Sequence, residues 1–224
     1  FLVEAADRIL PMFSRESASR AVRDLEHLGV QVWTGSKVTD INEMGVQIGS
    51  ERIEAATVLW AAGVKASPLG EACGLPTEKA GRVIVNADLT IPDHNNVFVA
   101  GDQASYMHDG DKPLPGVAPV AMQQGTFVAR AIRADLDGKP RGEFHYLDKG
   151  QMATIGRSRA IAEVGGRKFY GFFAWLVWLV VHIYYLTGFK NRLFVVLSWA
   201  WSYLAFRRGA RLIVGKRWRN SEGD

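Results

Sequence analysis

Residues 97–106 read VFVAGDQASY, an apolar run that stops on Gly101-Asp102 and leads, after a polar loop, into GVAPVAMQQGTFVARAI at residues 116–132. A Gly-Asp pair after a hydrophobic run is weak by itself, because loops commonly begin with those residues. Its surroundings give it meaning. Val97 to Ala100 reads as a buried strand, and Val117 to Leu136 as a helix closed by Gly138-Lys139-Pro140. An Asp at the carboxyl end of a parallel strand can accept hydrogen bonds from a polyol, while the preceding Gly lets another group approach the backbone closely.

Ribityl hydroxyls are such a polyol. The helix start Ala118-Pro119-Val120-Ala121 offers free backbone N–H groups and the positive end of a helix dipole. Aimed at a flavin ring, these would stabilise the negative charge that collects near N1 and the C2 carbonyl on reduction. Pro119 gives up one donor, which a first-turn proline can do without penalty.

Upstream, residues 1–4 look like the end of a strand. Ser14 caps a helical pattern that runs to Leu28 and stops at Gly29. VQVWTGSKVTDI alternates as a strand should, GVQIGSERIEAATVLWAAG supplies further short strands, and the run Val58 to Ala62 ends in Gly63. Strand, helix and strand in this order suit a dinucleotide-binding α/β unit. In such a unit an acid ending the second strand accepts hydrogen bonds from ribose hydroxyls and repels the extra phosphate of NADP, which makes Glu4 a candidate for NADH binding. An ordinary strand-end acid is the competing reading. From Lys65 to Ala80, Pro, Gly and small residues suggest a crossing between domains. GRVIVN then reads as a strand, and Gln151 to Arg167 as a hairpin turning near Gly156-Arg157-Ser158.

The chain has 224 residues, 48% of them apolar, enough for one large or two small domains with a sizeable core. Its one cysteine, Cys73, excludes an internal disulfide, a Cys-x-x-Cys redox pair and an all-cysteine metal site within this sequence. No metal-ligand spacing appears, and no catalytic residue can be named. His108 and His145 sit in polar loops, and His182 lies in an apolar tail where packing is the simpler role. The opening FLVEAADRILP carries no initiator Met and reads as a strand in progress, so the sequence is expected to be a piece of a longer chain. Residues 1–166 hold 17 Lys and Arg against 21 Asp and Glu, net −4, whereas 167–224 hold 10 against 2, net +8. Such a tail suits an anionic surface, and most of the seven Trp lie in it, which favours membrane over nucleic acid.

Taken together, VFVAGDQASY, GVAPVAMQQG, VLWAAGV at 58–64 and the basic aromatic tail resemble the carboxyl-terminal half of a type II NADH dehydrogenase (NADH:quinone oxidoreductase). That family belongs to the two-dinucleotide-binding flavoproteins, the pyridine nucleotide-disulfide oxidoreductase superfamily. The resemblance covers essentially the whole chain and rests on the order of the motifs. It implies FAD and NAD as cofactors, with Gly101 and Asp102 at the FAD ribityl chain and Pro119, Val120 and Ala121 beside the flavin. Glu4 and Gly63 would serve NADH, and Met122 and Gln123 would face the quinone. The family's quinone-side motif, Ala-Gln-x-Ala-x-Gln, reads here Ala118-Pro119-Val120-Ala121-Met122-Gln123. Pro119 replaces the first Gln, so a quinone carbonyl loses one side-chain partner and the role rests on Gln123.

The expected fold is α/β, with two Rossmann-like dinucleotide-binding domains, each partial, and an amphipathic helical membrane-binding tail. Residues 1–64 would be the carboxyl-terminal part of the NADH-binding domain, 65–140 that of the FAD-binding domain, and 141–224 the hairpin and tail. Phe169 to Phe189 carries no charge over 21 residues and is long enough to span a bilayer. Basic residues on both sides and aromatics throughout argue instead for helices lying in the interface. The expected function is transfer of electrons from NADH through FAD to a membrane quinone without proton pumping. The setting would be peripheral, on the cytoplasmic face of the cell membrane, in contact with the lipid bilayer surface and not with nucleic acid. A homodimer is open. The alternatives are a related FAD-dependent NAD(P)H oxidoreductase with another acceptor, and a non-catalytic membrane-anchored α/β binding module.

Overall fold

A computed structural model describes residues 1–108, 112–185 and 189–205. In chain order the elements are β1 (Leu2–Val3), α1 (Arg15–His27), β2 (Val32–Trp33), β3 (Asp40–Asn42), β4 (Gly45–Ile48), β5 (Glu51–Glu54) and the one-turn α2 (Leu69–Ala72). There follow β6 (Val83–Ile84), β7 (Thr90–Ile91), β8 (His94–Phe98), a 3-10 turn at Gly101–Gln103, β9 (Ala104–Ser105), α3 (Ala118–Leu136), β10 (Gln151–Gly156), β11 (Arg159–Val164), β12 (Arg167–Tyr170), α4 (Gly171–Tyr185) and α5 (Phe189–Leu204). The chain divides into two compact units, one made of Phe1–Leu2, Arg8–Trp33 and Gln151–Asp224, the other of Val3–Asp7 and Thr34–Gly150.

In the first unit, α1 begins where the sequence says it should. Ser14 is its N-cap, its hydroxyl accepting from the Ser17 N–H at 3.3 Å, and Gly29 follows the helix with φ +83°. A core of Ile9, Phe13, Ala21 and Ile161 joins this helix to the antiparallel sheet β10-β11-β12. The β10–β11 hairpin pairs Gln151 with Glu163 and Thr154 with Ala160, and Ser158 turns the chain at φ +62°. β12 continues the sheet, pairing Ile161 with Tyr170, and Gly171 at φ +69° turns the strand directly into α4. Ala174 of α4 is buried against Ala160 and Ala162, three small side chains that allow helix and strand to approach closely.

A carboxylate at the helix start reinforces the first unit. Glu163 of β11 accepts from the Ser14 hydroxyl at 2.6 Å, the Ser14 N–H at 3.1 Å, the Ser17 hydroxyl at 2.5 Å and the Gln151 amide at 3.3 Å. Burial pushes its pKa up, and these hydrogen bonds outweigh that, bringing the group down to about 2. Beside it, Lys168 of β12 reaches Glu16 in the first turn of α1 at 2.6 Å.

In the second unit, β3, β4 and β5 form an antiparallel meander, β7 and β8 an antiparallel ribbon, and β6 and β9 a short parallel pair. Leu89, Tyr106 and Phe144 form its core, with Val85, Phe98, Leu114, Phe127 and Val128 packed around them. Two expected strands do not form as read. Val97 to Ala100 is not a buried parallel strand: β8 ends at Phe98, pairs antiparallel with β7, and leaves Val97 exposed, because neither face of this two-stranded ribbon is covered over residues 94–97. Val58 to Ala62 forms no strand, and Leu59 and Val64 are 88% and 93% exposed. Apolar β-formers make a strand only where a neighbour supplies the ladder, and among the described residues none pairs with this run. The 21-residue apolar stretch is not one helix: its first two residues belong to β12, and no described helix is long and apolar enough to cross a membrane.

Candidate functional site

The Gly101–Asp102 turn sits against the first turn of α3. Gly101 has φ +72°, and a Cβ added there would lie 3.3 Å from the Ala121 Cβ, so both the conformation and the spacing call for glycine. Its N–H donates to the Gln124 Oε1 at 2.7 Å. The chain returns to this turn because the Leu114 N–H donates to the Tyr106 carbonyl and Met107 bridges Pro113, which carries Gly116 over Asp102. A Cβ at Gly116 would stand 3.4 Å from the Asp102 carboxyl carbon. Asp102 is exposed and its carboxylate lies beside Gly116.

Helix α3 starts at Ala118 without a side-chain cap, because its N-cap residue is Val117. Val117 O accepts from the N–H groups of Val120 and Ala121 at 3.0 and 3.2 Å. Those two N–H groups are therefore not the free donors that the sequence suggested, and Pro119 has none, so what the start of α3 offers is chiefly the positive end of its dipole. Pro119 is exposed, Val120 is buried in the unit and Ala121 touches the Gly101 position. Thus six of the residues singled out from sequence, Gly101, Asp102 and 118–121, form one cradle: a left-handed glycine, a carboxylate and a dipole end. A hydroxyl acceptor, close backbone approach and a positive helix end are the chemistry that a flavin ribityl chain and ring edge call for.

Met122 is half exposed and lies with Gly125, Thr126, Ala129, Arg130 and Arg133 along an open groove on the outer face of α3. The Gln123 amide is bonded in both senses to one backbone residue: its Nε2 donates to the Leu147 carbonyl and its Oε1 accepts from the Leu147 N–H, each at 3.0 Å. One N–H and one lone pair remain for another partner. Gln103 does the same for Ser67, at 3.0 and 3.2 Å. Sequence reading missed these two clamps and the Gln124 contact, because the partners are 24, 36 and 23 residues away.

Glu4 and Gly63 lie on other turns of this unit. The Glu4 carboxylate accepts from the Ala6 N–H at 2.8 Å, and its carbonyl accepts from the Ser36 N–H, fixing the turn after β1. Gly63 has φ +95° with open space where a side chain would stand. His108 and His145, far apart in sequence, have ring centroids 6.4 Å apart, with Tyr146 beside His108. His182, exposed on α4, bonds the Trp178 carbonyl, and its ring lies tilted against that of Trp178 at 4.3 Å. Among the described residues no cluster of His, Cys, Asp and Glu could hold a metal ion.

The profile of a family described as pyridine nucleotide-disulphide oxidoreductase matches residues 1–125. The chain belongs to this family. Beyond it, residues 149–208 match a domain described as the NDH2 C-terminal domain. Within the family the chain is 41% identical to the type II NADH:quinone oxidoreductase Ndh of Mycobacterium tuberculosis, over 96% of this chain and 48% of that protein. It is 39% identical to the type II NADH:quinone oxidoreductase of Staphylococcus saprophyticus, over 75% of this chain and 43% of that one. The chain therefore spans about half the length of the curated relatives it matches. The solved structure of NDH2 from Plasmodium falciparum in complex with NADH superposes with a TM-score of 0.79 over 90% of this chain and 57% of that one, at 15% identity, a likeness of fold.

Proposed function

We propose that this chain is the carboxyl-terminal part of a FAD-dependent NADH:quinone oxidoreductase that does not pump protons. The observation that carries the reading is the Gly101–Asp102 turn seated on the uncapped start of α3, in a chain whose residues 149–208 match the NDH2 C-terminal domain. The Mycobacterium tuberculosis and Staphylococcus saprophyticus relatives are both named type II NADH:quinone oxidoreductases. FAD, when bound, supplies the chemistry that takes a hydride from NADH and releases electrons to a quinone. The roles of this chain's residues follow from their chemistry. Asp102 accepts hydrogen bonds from ribityl hydroxyls, and Gly101 admits the ligand close to the backbone. Pro119, Val120 and Ala121 set the positive end of α3 against the ring edge that gains charge on reduction.

Glu4 accepts from the ribose hydroxyls of NADH, and Gly63 leaves room for the nicotinamide side. Residues 1–64 then belong to the NADH-binding domain, 65–140 to the FAD-binding domain and 141–224 to the hairpin and tail. Met122 offers apolar contact to a quinone, and the remaining N–H of Gln123 meets one carbonyl. With Pro119 in place of a second glutamine, quinone binding leans on apolar contact more than on hydrogen bonds.

The tail fits a lipid surface. α4 and α5 expose Phe172, Phe173, Leu176, Val180, Phe194 and Trp201, with Lys190 and Arg192 in the first turn of α5. Aromatic side chains at headgroup depth and cations on phosphates are how a helix pair lies in an interface, here the cytoplasmic face of the membrane. The test uses the full-length protein that contains this segment. It should purify yellow and oxidise NADH with a short-chain quinone as acceptor; a colourless protein, or one whose flavin NADH does not bleach, refutes the assignment.

A further inference from the structure

Gln124 is 1% exposed, one helical turn beyond Val120 on the inward face of α3. A buried amide at a core position of a helix costs free energy unless it is hydrogen-bonded, so its partner reveals what holds it there. That partner is the N–H of Gly101, at 2.7 Å, the residue immediately before Asp102. The bond fixes the peptide that enters the left-handed conformation of Gly101, and it fixes it against the helix whose first turn completes the cradle. Gln123 holds the Leu147 backbone, and Gln103, the last residue of the turn, ties its far end to Ser67, so Gln124 is the glutamine that holds the Gly101 end of the turn to α3.

We infer that Gln124 is a positioning residue of the flavin site: through the Gly101 N–H it aims the Asp102 carboxylate at the ribityl hydroxyls. The inference rests on the flavin reading proposed above. An isosteric apolar residue would fill the same space, yet leave the Gly101 N–H without its acceptor and let the turn relax. Glu at this position, kept neutral by burial, would keep an oxygen where Oε1 stands.

FAD affinity of the full-length protein, measured by titrating apoprotein with FAD and following quenching of flavin fluorescence, tests this in four variants: Asp102→Ala, Gln124→Met, Gln124→Glu and the double variant Asp102→Ala/Gln124→Met. Loss of a hydrogen-bonded contact to a charged group corresponds to about a tenfold weaker Kd or more. Gln124→Met should therefore weaken FAD about tenfold and Gln124→Glu should stay near wild type. The double variant should be no weaker than Asp102→Ala alone, because two residues acting through one contact are not additive. Wild-type affinity in Gln124→Met overturns the inference, and so do losses that multiply in the double variant, which mark a general packing role. If Gln124→Met does not fold, Gln124→Glu decides: near-wild-type affinity supports the inference, and a tenfold loss in a folded protein overturns it. Unchanged affinity in Asp102→Ala removes the flavin reading at this turn and the inference with it, a result separable from failure at Gln124 alone.

Discussion

At the scale of single residues, the two carboxylates assigned to cofactors make opposite demands on experiment. Asp102 lies exposed beside Gly116, so replacing it should cost binding and little else. In the full-length protein, Asp102→Ala is expected to reduce FAD retained through purification, since hydrogen bonds to a charged acceptor are worth roughly 1.5–3 kcal/mol. Bound flavin per polypeptide, read from absorbance after acid release, checks it. Glu4 already holds the Ala6 N–H, so its carboxylate is oriented before any ligand arrives. Glu4→Gln should weaken NADH more than NADPH and narrow the ratio of their kcat/KM values, because the repulsion of the extra phosphate goes with the charge. An unaltered ratio would reduce Glu4 to a strand-end turn residue. The identities of Gly101 and Asp102 were legible in the sequence, since a left-handed turn before an acid has a recognisable composition. The clamps made by Gln103, Gln123 and Gln124 were not, because a glutamine side chain gives no local sign of which distant backbone it will bond.

At the scale of elements, the junction between α1 and the β10–β11 hairpin carries its own pH dependence. Glu163 has its pKa lowered from 4.5 to about 2 by the hydrogen bonds at the start of α1. A carboxylate depressed in the folded state stabilises it fully above the unfolded pKa and loses that contribution as pH falls through the folded one. The window is therefore from about pH 4.5 down to about 2. Glu163→Gln should cost roughly 1–2 kcal/mol at neutral pH, allowing for partial solvent screening, and should flatten the acid limb of the stability curve. Tm measured across that window in both proteins checks it; parallel curves would show that Glu163 titrates alike in the folded and unfolded chain. Helix α1 itself was readable from its Ser14 cap and Gly29 stop. The strands were less so: the alternation in 31–42 yields only β2 and β3, with Thr34 to Thr39 outside any ladder.

At the scale of the whole molecule, the tail has two forces to separate. Each basic side chain near an anionic leaflet contributes on the order of 1 kcal/mol, screened by salt, whereas buried aromatic surface contributes a term that salt leaves in place. The structure also shows where to cut: Ala174 is buried on β11 and β12 is paired, so removing everything from Arg167 would open the core of that unit. Substitution of exposed side chains avoids this. Phe173→Asp with Phe194→Asp should release the full-length enzyme from membranes and depress reduction of a membrane-resident quinone, while NADH oxidation with a soluble acceptor stays near wild type. High salt alone should release wild type only in part. Flotation with liposomes at low and high salt measures both, and full release of wild type by salt would leave the aromatic surface without a membrane role.

The sequence by itself determined the class of fold, through the order of its elements and motifs, and also the cap and stop of α1, the span of α3, the hairpin at Gly156-Arg157-Ser158 and the glycine-acid turn, because each of these depends on contacts within a few residues of itself. The tertiary structure decided what those elements meet. It placed Glu163 on the start of α1, Gly116 over Asp102 and Gln124 on Gly101, and it broke the long apolar stretch at Gly171, where a strand edge was available to pair with its first residues. Hydrogen-bond partners separated by 23 to 149 residues are chosen by packing of the whole unit, and no local pattern encodes that choice.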